Sequence, residues 1–200
     1  MATVANTVPG PARPLDRVSV FLHFGLAVFG VWAWLIGSGW IGEGAGDYKR
    51  ADHFWYTQHM WVGIIFTAFL LARILWGIVG PANARFVNWV PWTWARFKLV
   101  LEDLGTLLHL RVPVRHTREG LSGLVQALGL LVFLWLGLTG LINAFTITPG
   151  ERLTGWAHEV KELHEIGDIL VPAYLILHVG GTLVHSFRGQ HVWKKMLFLE

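Results

Sequence analysis

The sequence predicts an all-α membrane protein built as a four-transmembrane-helix bundle, and three observations carry that prediction. The chain of 200 residues is 54% hydrophobic and only 14% charged, far from the balance of a soluble domain. Its apolar residues gather into four stretches, each long enough for the ~20 residues a helix needs to cross a bilayer. Its charges collect in the connections, with a strong excess of basic residues on alternate connections.

The opening segment, residues 1–15, is rich in proline, glycine and small residues and lacks the apolar core of a signal peptide, so it reads as a flexible tail. The first span runs from Arg17 to about Ile41, uncharged after its first residue, and the second from about Phe54 to Gly80. Between the second and third spans, "WVPWTWARFKLVLEDLGTLLHL" suits a short helix lying on the membrane surface. The third span covers Leu121 to Phe145 and the fourth about Glu162 to Phe187, which places the whole four-helix domain in residues 16–200. Pro81, Pro113 and Pro149 fall outside the spans, as residues without an N–H should. Pro172 lies inside the fourth, where it frees the carbonyl of Asp168 and predicts a kink that a membrane bundle tolerates.

One set of connections and termini holds Arg13, Arg17, Arg85, Arg96, Lys98, Arg111, Arg115, Arg118, Arg188, Lys194 and Lys195, whereas the other holds only Lys49, Arg50, Arg152 and Lys161. The positive-inside bias then puts both termini in the cytoplasm of a multi-pass inner-membrane protein. The net charge of +3 belongs to those loops and predicts contact with lipid, not with nucleic acid. Trp40, Trp55, Trp61, Trp89, Trp92 and Trp156 fall near predicted boundaries, where amphipathic rings prefer to sit.

No cysteine occurs, which excludes disulfides, cysteine-ligated iron–sulfur clusters and covalently attached c-type haem. Coordination chemistry rests on the ten histidines. Two of them, His164 and His178, bracket the stretch "LHEIGDILVPAYLILH" in the fourth span. Fourteen residues of helix rotate to within ~40° of four full turns and rise ~21 Å, so both imidazoles share one face at two depths. Ionisable groups in a membrane face the bundle interior and a partner. Interhelical hydrogen bonds would satisfy them, and a single metal ion is the second alternative, but a metal centre gathers its ligands at one point. Two cofactors at two depths, each taking one ligand from this helix, fit better. His59 lies level with His164, and His23 lies in the same half as His178. Two bis-imidazole sites stacked across a bilayer suit two b-type haems enclosed by the four helices.

Other residues leave alternatives open. His185 follows His178 by seven residues on nearly the same face, so it competes as a ligand or serves as a propionate contact. Arg73 is fourteen positions after His59 and could pair with a haem propionate, steer a quinone carbonyl or snorkel to headgroups. Gly25, Gly63, Gly180 and Gly181 would admit a planar macrocycle, or merely allow close helix packing. His53, His109, His158 and His191 neighbour polar or boundary segments and read as surface residues.

Taken in order, "ARILWGIVGPANARF", "RHTREGLSGL", "LGLTGL", "ELHE" and "LHVGG" resemble the bacterial cytochrome b561 and nickel–iron hydrogenase cytochrome b superfamily over roughly residues 15 to 198. The resemblance implies a di-haem cytochrome b whose axial ligands are His23 in "FLHFG", His59 in "TQHMWVG", His164 in "ELHE" and His178 in "LHVGG". The loop before the third span departs from the family's usual H-N-P-L-G, carrying His116 in "HTREG", and a propionate or quinone contact by His116 is the expectation there. The implied function is electron transfer between a periplasmic hydrogenase, dehydrogenase or cytochrome and the membrane quinone pool, with a bound quinone and a homodimer left open. A free-standing superoxide:quinone oxidoreductase is the alternative within the family. A haem-free transporter or structural membrane protein is the alternative of another class.

Overall fold

The structure, a computed structural model, describes residues 16–42, 53–113, 115, 118–148, 153–189 and 194. Among these, the ordered elements are helices: α1 (Arg17–Gly37), α2 (His53–Val79), α3 (Trp94–Leu108), α4 (Gly120–Thr146), α5 (Trp156–Glu165) and α6 (Gly167–Phe187), with a 3-10 turn at Phe86–Asn88 between α2 and α3. Four segments are long and apolar enough to cross a membrane: α1, Phe54–Val79 of α2, α4, and Trp156–Phe187, which joins α5 to α6. The anticipated tail at residues 1–15 lies outside the described residues.

Local chemistry sets the helix ends. Asp16 caps α1, its carboxylate accepting from the Ser19 backbone N–H at 2.9 Å and from the Ser19 hydroxyl at 2.8 Å. At the other end the helix stops at Gly37, short of the Ile41 expected from hydropathy. Ser38 turns its hydroxyl back onto the Trp34 carbonyl at 2.7 Å, and Gly39 adopts φ +76° while its N–H bonds to the Ile36 carbonyl. That left-handed glycine ends a helix whatever the apolarity of the next residues.

The fourth span departs further from the sequence expectation. It starts at Trp156, just after Gly155 at φ +63°, not near Glu162. Glu159, Lys161 and Glu162 gave its first turns the look of a connection, but α5 is amphipathic: Glu159 and Glu162 are exposed, whereas Lys161 turns inward to the cavity between the helices and pairs with Glu165. Nor is the span one continuous helix, because the hydrogen-bond pattern changes at Ile166. There the N–H groups of Ile169 and Leu170 both bond to the Ile166 carbonyl at 3.1 Å. Gly167, buried against Leu136 of α4, starts α6 where a Cβ would stand 2.7 Å from the leucine Cδ2. The joint thus lies six residues before Pro172, the residue that predicted a kink.

Helix α1 packs on α2, α2 on α4, α4 on α5 and α6, and α6 back on α1, closing a four-membered ring. Leu70 and Ile36 are fully enclosed within it, whereas Phe21, Trp61, Leu131 and Ile176 stand on its outside, as lipid-facing residues do. Helix α3 lies against α4. Trp94, Phe97, Leu101, Leu104 and Leu108, spaced three or four apart, form an exposed apolar stripe on it. On its other side the buried carboxylate of Asp103 accepts from Arg115 Nε at 2.8 Å and from the Leu121 backbone N–H at 2.8 Å. Asp103 thereby fastens α3 to the first turn of α4. The end of the ring where α1 begins and α2 finishes is called proximal below, and the end where α1 finishes and α2 begins is called distal.

Candidate functional site

At the distal end, His59 of α2 and His164 of α5 face one another with ring centroids 5.9 Å apart and planes at 79°. Each ring is held through Nδ1. That of His59 lies 2.9 Å from the Ala33 carbonyl of α1. A carbonyl only accepts, so Nδ1 carries the proton and Nε2 keeps its lone pair. Nδ1 of His164 lies 2.9 Å from the Thr139 hydroxyl of α4. That hydroxyl donates to the Trp135 carbonyl at 2.8 Å, which leaves its oxygen to accept the imidazole N–H. Both rings therefore present an unprotonated Nε2, the form that ligates a metal. Two glycines make room for them: a Cβ on Gly37 would stand 2.8 Å from His59 Cε1, and one on Gly140 would stand 3.0 Å from His164 Cε1.

At the proximal end, His23 of α1 and His178 of α6 repeat the arrangement with ring centroids 6.2 Å apart and planes at 45°. These rings are placed differently. His178 stacks on Tyr174, one turn earlier, with centroids 5.3 Å apart and planes within 14°. Gly129 of α4 leaves the space that the tyrosine ring fills, since a Cβ there would lie 2.2 Å from Tyr174 Cε2. Arg73 is buried close by with its Nη1 unpartnered, its guanidinium 5.3 Å from the centre of the Phe86 ring.

A cavity between α1, α2, α4 and α5 contains both distal imidazoles and is walled by Gly37, Gly63, Phe66, Phe133 and Gly140. Phe66 meets Phe133 edge-on at 5.4 Å and Phe133 meets Tyr174 edge-on at 5.1 Å. An unbroken series of ring contacts therefore runs from the distal cavity to His178. Among the described residues no three His, Asp or Glu side chains converge as a metal centre would need. The four imidazoles form two separate pairs, one at each end of the bundle.

Of the sequence-predicted residues, the structure brings together His59 with His164 and His23 with His178, and it sets His178, not His185, opposite His23. His185 is half-buried in the last turn of α6. His116 and His191 lie outside the described residues, as does the side chain of His53. His109 and His158 are exposed, the first bonded to the Gly105 carbonyl and the second 3.8 Å from Glu162. Among the glycines, Gly63 faces the cavity with open space, but Gly25 packs against Phe69, where a Cβ would meet Cδ1 at 2.3 Å. Close helix packing is thus the role of Gly25. The glycines that border the imidazoles are Gly37 and Gly140, which sequence reasoning missed along with Thr139 and Tyr174. A lone threonine beside a glycine in the otherwise apolar "LGLTGL" was the one signal for the α4 pair.

The model of a family described as prokaryotic cytochrome b561 matches residues 15–198. No curated protein and no solved structure matches the chain.

Proposed function

Because the chain belongs to the prokaryotic cytochrome b561 family, which makes it a multi-pass membrane cytochrome b of electron transfer that binds haem b, we propose a specific arrangement. One haem is held by His59 and His164 at the distal end, and a second by His23 and His178 at the proximal end. Electrons pass singly between them, linking a periplasmic redox partner at the distal end to membrane quinone.

The observation that carries this reading is the spacing of the two imidazole pairs. A ligating nitrogen stands ~2 Å from a metal and about 1 Å from its own ring centre, so two rings sharing one metal have centroids ~6 Å apart. The pairs stand at 5.9 and 6.2 Å. The unprotonated Nε2 atoms of the distal rings, the small residues beside them and the cavity they enter suit a planar macrocycle. The unpaired guanidinium of Arg73 suits a carboxylate at its edge.

Bound haem supplies a one-electron ferric/ferrous couple whose potential responds to ligation, hydrogen bonding and burial. The chain's own residues hold the imidazoles in place. Ala33 and Thr139 fix the distal tautomers. The excess of basic residues in the tail, the 81–118 connection and the C-terminal segment supports a cytoplasmic proximal end.

Purified protein should show b-type α-bands in a reduced-minus-oxidised spectrum, two haems per chain and two one-electron steps in a redox titration. Dithionite-reduced protein should be reoxidised by a soluble quinone analogue. One haem per chain would overturn the two-site arrangement, and a reduced protein inert to quinone would overturn the quinone link.

A further inference from the structure

At the proximal end two guanidinium groups lie close enough to act on one another electrostatically, and one carboxylate acts on both. Arg73 is only 7% exposed, its Nη1 has no hydrogen-bond partner, and no carboxylate forms an ion pair with it among the described residues. Arg118, two residues before α4, is half-buried and likewise makes no hydrogen bond or ion pair there. Asp16 lies within electrostatic reach of both. Its carboxylate is already engaged, however: Oδ1 accepts from the Ser19 N–H and from Trp76 Nε1 at 2.8 Å, and Oδ2 accepts from the Ser19 hydroxyl. Burial, and then the charge of Arg73, pulls Arg118 down to about 10, which Asp16 only partly offsets. Both positive charges also bear on the ring of His23.

Unpaired guanidinium groups at the edge of hydrocarbon are costly and are kept where an anion meets them. A planar guanidinium matches a carboxylate in two parallel hydrogen bonds. We propose that Arg73 and Arg118 form a paired cation site that would receive the two carboxylates of the proximal macrocycle. The inference rests on the reading of His23 and His178 as haem ligands, and it assigns to Arg118 a role that nothing in its own stretch of sequence discloses. Arg73 supplies the buried half of the site from α2, backed by Phe86, and Arg118 the half nearer the surface.

The test uses full-length protein with Arg73→Gln, Arg118→Gln, the double variant, and the charge-keeping Arg73→Lys and Arg118→Lys. Positive charge beside a haem favours the ferrous state. The double variant should therefore shift the proximal ferrous-to-ferric equilibrium about tenfold toward ferric, or ~59 mV downward for one electron, and release proximal haem more readily during purification. The distal haem should keep its potential. Lysine variants should retain most of the wild-type potential, and they carry the test if a glutamine variant fails to accumulate. An equal shift at both haems, or none at either, overturns the proposal. So does loss of phospholipid phosphorus per chain in Arg118→Gln with the proximal potential unchanged, because the cation then serves a lipid headgroup. A wild-type protein without a b-type spectrum sinks the haem reading itself, whereas two haems indifferent to both arginines sink only this inference.

Discussion

The distal and proximal imidazole pairs have nearly the same separation, but they are held by different physics. At the distal end both rings are tied through Nδ1 to fixed acceptors, the Ala33 carbonyl and the Thr139 hydroxyl. At the proximal end His178 lies flat on Tyr174, and the charges of Arg73 and Arg118 bear on the neighbouring His23 ring. A hydrogen-bonded imidazole is a more basic ligand with a fixed tautomer, which favours ferric iron. Nearby positive charge favours ferrous iron. If each pair holds a haem as proposed, the contrast predicts a potential gradient, with the distal haem the lower in potential and the proximal haem the higher.

The most forceful way to break the comparison is to delete ligands. His59→Ala or His164→Ala should remove the distal haem and leave the proximal one, and His23→Ala or His178→Ala should do the reverse. Haem per chain should fall from two to one in each, measured by pyridine haemochrome, and the surviving titration step identifies which potential belongs to which end. Full haem content in all four would refute the ligand assignment. The same variants test the gradient: the step that survives in His164→Ala should lie at least ~59 mV, about tenfold in equilibrium, above the one that survives in His178→Ala.

Much of this arrangement was legible in the sequence, and the limits are physical. The spans followed from runs of apolar residues, and the four histidines from their depth in those runs, because both depend on position along one helix. What the sequence left hidden depends on how helices meet. Thr139 and the Ala33 carbonyl become partners of imidazoles only once α4 faces α5 and α1 faces α2. Gly37 and Gly140 have meaning only opposite those rings, which is why Gly25, two residues after His23 in the same motif, packs against Phe69 instead. The joint at Ile166 escaped notice for a similar reason. Its backbone stays in the helical region, at φ −56° and ψ −23°, and the glycine beside it, Gly167, is of a kind that membrane helices also carry for close packing.

A second, smaller effect separates hydrogen bonding from stacking. Thr139→Val removes the acceptor of the His164 N–H while keeping the side chain's shape. Losing such a partner typically weakens a metal site by about 10–100-fold, so the variant should lose distal haem on dilution and show a raised distal potential, with the proximal step unmoved. Tyr174→Leu should do the complementary thing, altering the low-spin ferric EPR signal of the proximal haem as the His178 plane turns, while Tyr174→Phe, which keeps the ring, should resemble wild type. Equal responses at both ends would mean that neither residue acts on its own imidazole.

The finest distinction concerns the glycines. Adding one methyl at Gly140 places a carbon 3.0 Å from His164 Cε1, closer than packed carbons tolerate, so either the ring or α4 must yield by a few tenths of an ångström. The ring is tied to Thr139 on the same helix, one residue away, and swinging it aside would stretch that hydrogen bond. Gly140→Ala should therefore perturb the distal haem in the same direction as Thr139→Val but less, with haem still bound and a small upward shift in the distal step alone. The equivalent methyl at Gly129 would meet the Tyr174 ring at 2.2 Å, and because that ring lies on His178, Gly129→Ala should move the proximal EPR signal and spare the distal one. If Gly140→Ala and Gly129→Ala disturbed both haems alike, the two ends would have to be mechanically continuous through α4, and the independence on which the comparison rests would fail.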